Sequence, residues 1–109
     1  MENPEFDLTL GEIRQSQSEI ASEMDENQLS KEDQVRLERA SCHLRNLERL
    51  LTDSTEDALI SQLKNETSSL RELTVEMNKE SEHLFKIAEI LGKVVSITGQ
   101  LIDILDAVK

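Results

Sequence analysis

The sequence predicts an all-α protein: an antiparallel helical hairpin with a long C-terminal helix and a short N-terminal helix, assembled into an oligomeric helical bundle. Three observations predict it. Helix breakers are scarce, with three Gly and one Pro in 109 residues, while good helix formers fill most other positions. From Leu37 onward, apolar residues recur in steps of three and four, the spacing of a helical seam. Apolar content then nearly doubles toward the C-terminus, from eight side chains in residues 55–79 to fifteen in residues 84–108.

The elements follow in order. Residues 1–7 read as a flexible acidic tail. Thr9 and Glu12 have capping-box spacing, and Leu8 and Ile13 stand where a hydrophobic staple would close over it. A first helix over about 9–24 then shows Leu10, Ile13, Ile20 and Met24 on one face, with Gln17 in an apolar slot. Its stripe is thin, and Gly11 costs it about 1 kcal/mol relative to Ala.

Asp25, Glu26 and Asn27 make a polar turn, and Ser30 is a good N-cap for a second helix over about 31–51. Glu32 and Asp33 fall in its first turn, where the helix dipole favours negative charge. Leu37, Ala40, Leu44, Leu47 and Leu51 form its heptad seam, widened by Leu50. Asp53, Ser54 and Thr55 leave only a short connection, which implies an antiparallel hairpin.

The third helix is expected to run over about 55–108, roughly 80 Å at about 1.5 Å per residue. Its seam includes Leu59, Leu63, Leu70, Leu73, Met77, Leu84, Leu91, Ile102 and Leu105. The weak place is Asn78–His83, which is wholly polar. A break there gives the alternative architecture, a monomeric four-helix bundle. Continuity is favoured because that stretch has no Pro or Gly and no Ser/Thr-x-x-Glu cap follows it.

Residues 84–108 carry the argument for assembly. Lys86, Glu89, Lys93, Ser96, Gln100 and Asp103 fall on one narrow polar stripe. Apart from Thr98 and Asp106, the rest of the circumference is apolar or glycine. An ordinary amphipathic helix has an apolar face of about 100°, so this one needs neighbours on two sides. Ser81, Ala88, Gly92 and Gly99 lie close together beside the stripe, which suggests a groove for close helix approach. In a hairpin the second helix reaches back only to about residue 75. The expected self-association surface is therefore Leu84, Ile87, Ala88, Leu91, Gly92, Val95, Gly99, Ile102 and Leu105, in a homodimer with antiparallel C-terminal helices.

Composition narrows the function. The formal charge is −11, which disfavours nucleic acid and anionic membrane surfaces, since both need clustered Lys and Arg. The acidity is uneven: residues 1–33 hold ten acids against Arg14 and Lys31. Cys42 is the sole cysteine, so no intrachain disulfide forms. MENPEFDLTL has neither a basic nor an apolar leader region, and no run of about 18 uncharged apolar residues occurs. A cytoplasmic protein is the expectation.

No constellation points to catalysis or to a cofactor. Glu80-x-x-His83 has the spacing of a di-iron carboxylate motif, but such sites need two of these motifs and two further inward Glu. A solvated helix face is the better reading of that pair. Cys42 and His43 are adjacent and point apart on a helix, and a lone Cys usually packs as a small buried residue. Arg36, Arg39 and His43 form a basic edge on the second helix; the acidic first third either docks there or stays mobile and engages a basic partner. The sequence thus predicts a non-catalytic interaction or assembly protein that self-associates through its C-terminal helix and presents the second helix or the acidic arm to a partner. Two rivals are a membrane-active amphipathic protein and an acidic mimic of nucleic acid. The first is weakened by the mixed charge of the polar stripe and by Phe85 being its one aromatic anchor.

Overall fold

Asn78, Lys79 and Glu80 are all exposed. A helix continuing through them would gain no packing, whereas a chain that doubles back can bury the apolar girth of its last segment against itself. The structure, a computed structural model that describes residues 4–26, 29–53, 56–80 and 84–108, takes the second course. The single helix expected over 55–108 is two helices, and no strand occurs among the described residues. They form α1 (Pro4–Glu26), α2 (Lys31–Asp53), α3 (Glu56–Glu80) and α4 (Phe85–Val108). α3 ends at Glu80 and α4 starts at Phe85, and residues 81–83 lie outside the described residues.

Two local expectations at the N-terminus also change. Residues 4–7 are helical and not part of a tail, because Pro4 opens α1 at a position where its missing N–H and fixed φ cost nothing. Thr9 is therefore inside the helix and buried, so it does not cap it. The N-cap read at Ser30 is present. The Asp33 amide donates to Ser30 Oγ at 3.2 Å, and the Gln34 amide donates to the Ser30 carbonyl at 3.0 Å. The caps read at Ser54 and Thr55 lie outside the described residues.

The helices pack in a ring, α1 on α2, α2 on α3, α3 on α4 and α4 back on α1. Neighbours run antiparallel, as the cross-links show: early residues of one meet late residues of the next. Arg14 pairs with Glu48 between α1 and α2, Arg36 with Glu76 between α2 and α3, and Lys64 with Asp106 between α3 and α4. The result is an up-down-up-down bundle measuring 45 × 22 × 18 Å.

The core is aliphatic, and among the described side chains no aromatic ring enters it. Leu37, Leu44, Leu63, Met77 and Leu91 are fully buried, while Phe85 stands 65% exposed. The chain thereby covers its own C-terminal segment, where the expected self-association surface lies. Leu84, Ile87, Ala88, Leu91, Val95 and Ile102 are buried within one chain, and Gly92, Gly99 and Leu105 are half-buried. α1 and α3 supply the two flanks that a second copy was expected to provide. The polar stripe of α4 stands as read: Lys86, Glu89, Lys93, Ser96, Gln100 and Asp103 are all exposed.

The glycines do not mark a close helix crossing. A Cβ added at Gly92 or Gly99 would meet nothing within 4 Å. Gly99 instead borders an open cleft of 460 Å³ between α3 and α4, beside Val95, Ser96 and Ile102. Polar side chains also enter the core. Ser16, Thr67 and Thr98 are buried. Ser16 Oγ donates to the Glu12 carbonyl at 2.8 Å, but the hydroxyls of Thr67 and Thr98 have no hydrogen-bond partner among the described residues. A buried hydroxyl without a partner costs about 1–3 kcal/mol.

Substitutions at these positions test the packing. Gly92→Ala and Gly99→Ala should each stabilise the protein by about 0.5–1 kcal/mol, since helix propensity rises and no atom is displaced. Thr98→Val, which keeps the shape and removes the orphaned hydroxyl, should add about 1 kcal/mol. Urea unfolding followed by far-ultraviolet circular dichroism measures both, and a lowered midpoint in the glycine variants would mean that a helix approaches them more closely than the structure has it.

Candidate functional site

The second helix carries a seam of leucines on one side and charge on both flanks, and the two flanks differ in kind. Toward α1, an acid of α2 meets a base of α1: Arg14 Nε donates to Glu48 Oε2 at 2.7 Å, and the Gln17 amide donates to Glu48 Oε1 at 3.4 Å. The Arg14 guanidinium holds the Glu48 carboxyl below its ordinary value, with help from the Gln17 amide, against the opposing pull of burial. The acidic first third therefore docks on α2 through its own arginine, and the basic edge of Arg36, Arg39 and His43 faces α3 instead.

Toward α3, the polarity is reversed. The arginines belong to α2 and the carboxylates to α3. Arg36 Nε donates to Glu76 Oε2 at 3.0 Å, and Arg36 Nη1 donates within α2 to Asp33 Oδ1 at 3.0 Å. Arg39 Nη1 lies 3.7 Å from Glu76 Oε1. One helical turn further along, His43 Nδ1 and Glu66 Oε2 are 2.7 Å apart, and the Asn46 amide donates to Glu66 Oε1 at 3.2 Å. The basic edge read in the sequence as Arg36, Arg39 and His43 is thus one continuous seam of the bundle. The hydrogen bond to Glu76 raises the Arg36 pKa above its ordinary value, with Asp33 adding to it and burial opposing.

The outer end of this seam is a cleft of 370 Å³ lined by Lys31, Glu32, Val35, Arg36, Arg39 and Glu76. Val35 on α2 and Val75 on α3, the residue before Glu76, are each about half exposed. Arg36 is held by two carboxylates, whereas Arg39 keeps half of its side chain in water. The cleft therefore offers aliphatic surface between cations of α2, Lys31 and Arg39, on a chain whose overall charge is −11. Aliphatic side chains flanked by fixed positive charge suit a carboxylate-bearing amphipathic segment.

The other sequence candidates are not brought together. Cys42 is exposed on α2, not buried as a lone cysteine usually is. Glu80 is exposed at the end of α3, and His83 lies outside the described residues. Among the described residues, no group of three or more His, Cys, Asp or Glu is placed to hold a metal ion. No described helix is long and apolar enough to cross a membrane. Sequence reasoning found the arginines of the edge but missed Val35 and Val75. Their signal was available: both are apolar and both fall off the core seams of their helices.

The carboxyl shift at Glu48 gives a pH test. Its folded-state pKa is depressed, so its contribution is present above the ordinary carboxylate range and is lost as pH falls through the lower folded value. Glu48→Gln should be slightly less stable near neutral pH, by under about 1 kcal/mol for a pair this exposed, and should lose less stability on acidification than the parent. Parallel acid limbs of the urea midpoint for the two proteins would show that Arg14 does not hold that carboxyl.

Compared with known family models, with curated proteins and with solved structures, the chain matches none.

Proposed function

We propose that this chain is a non-catalytic helical interaction protein that presents the outer α2–α3 edge to a partner protein. The observation that carries the reading is the grouping of exposed Val35 with Lys31 and Arg39 around one cleft. Single exposed aliphatic residues are ordinary on protein surfaces. One set in a cleft between cations of a strongly acidic chain makes a surface with a preferred partner chemistry. The partner is an acidic, amphipathic helical segment, whose aliphatic face covers Val35 and whose carboxylates meet Lys31 and Arg39. The carboxylates of the first third, exposed along α1 at Asp7, Glu12 and Asp25, keep the remainder of the bundle hydrated and steer other acidic surfaces away.

The test is comparative. Val35→Asp/Arg39→Glu leaves the core untouched, so the helical circular dichroism should be unchanged. Affinity capture with this variant should lose the proteins that the parent retains, while Glu89→Lys/Lys93→Glu, on the opposite polar stripe, should retain them. Equal capture by the parent and the edge variant would reject the edge as the binding surface.

A further inference from the structure

We propose that α3 and α4 also straighten into one helix and that the released α4 packs into the bundle of a second copy of this chain, giving a two-fold dimer by helix exchange. The first ground is the phase of the core seam across the connection. From Leu63, every seventh residue is a core position: Leu70, Met77, Leu84, Leu91 and Thr98 follow, and all six are 0% exposed. The count crosses from α3 to α4 without gaining or losing a residue. A hairpin imposes no such phase, because each helix can rotate freely about its own axis to face the core. A straight helix serving two bundles requires it, since both halves must present their seams on the same side.

The second ground is the chemistry of the connection. The link from α1 to α2 contains Asn27 and ends in the Ser30 cap, with its 3.2 Å bond from the Asp33 amide. The link from α2 to α3 contains Ser54 and Thr55 after Asp53. These residue types favour turns through local side-chain hydrogen bonds. Between Glu80 and Phe85 the sequence is Ser81, Glu82, His83 and Leu84, in which Ser81 is the one residue of that kind and no Gly, Pro, Asn or Asp occurs. Nothing in it forbids a helix.

The third ground is that α4 loses nothing by the exchange. It is terminal among the described helices and makes its contacts with α1 and α3. In the exchanged dimer the same side chains meet the same neighbours, now on the other copy, and the Lys64–Asp106 pair becomes intermolecular. Helix exchange of this kind is a low-cost route to a closed dimer. The long helix so formed spans about 80 Å at about 1.5 Å per residue. The α2–α3 edge lies within one chain in either form, so the exchange does not rest on the function proposed for it.

Crosslinking distinguishes the two forms. In a chain carrying Cys42→Ser, Lys64→Cys and Asp106→Cys, a short thiol–thiol linker joins the two sites within one chain in the monomer and between chains in the exchanged dimer. After prolonged incubation at millimolar concentration, the linked product should run as a dimer on a denaturing gel, and after incubation at micromolar concentration as a monomer. Ser81→Ala/His83→Ala, which favours helix through the connection, should raise the dimer association constant by about tenfold in sedimentation equilibrium. Glu82→Pro should abolish the dimer. A parent and a Ser81→Ala/His83→Ala protein that both stay monomeric at millimolar concentration would overturn the proposal. So would a dimer in which the linker stays within one chain.

Discussion

The structure depends on one constraint: the last two dozen residues are apolar over more than half of their circumference and must be covered from two sides. Fully burying one Leu or Ile stabilises by about 1.5–3 kcal/mol, so leaving that girth wet would cost more than a small domain's whole stability. Placing α4 between α1 and α3 satisfies the constraint within one chain. The two helices are nearly equal in length, α1 running 23 residues and α4 24.

Much of this was legible in the residues. The seam of α2, its Ser30 cap and the solvent stripe of α4 all stand where the sequence puts them. The break after Glu80 was legible only as the alternative to a continuous helix, marked by the wholly polar Asn78–His83, for a physical reason. Local signals for ending a helix are caps, glycines and prolines, and the Asn78–Leu84 stretch has no Gly or Pro and keeps the heptad phase of the seam intact. What ends the helix is a tertiary gain, the burial of α4, and no local pattern encodes it. The glycines misled in a related way: Gly92 and Gly99 suggest a tight crossing, but they border open space.

The candidate site was half legible. Arg36, Arg39 and His43 declare a basic edge by their spacing alone. Their partners Glu66 and Glu76 could not be chosen from among 23 acids, because which helix faces which is settled by the ring and not by any local pattern. In the ring, Glu48 of α2 binds α1 while Arg36, Arg39 and His43 face carboxylates of α3, so these residues discriminate between the two neighbours by polarity as well as by shape.

Ring closure bears on how the molecule assembles in time. Three of the four helix packings join elements consecutive in the chain, and the α1–α4 packing is the one extensive contact that spans the whole length. Helical proteins dominated by such local contacts reach the native state in microseconds to milliseconds. The entropic barrier of joining the chain's two extremities then falls on a single late step, the docking of α1 against α4, after the other three seams have zipped.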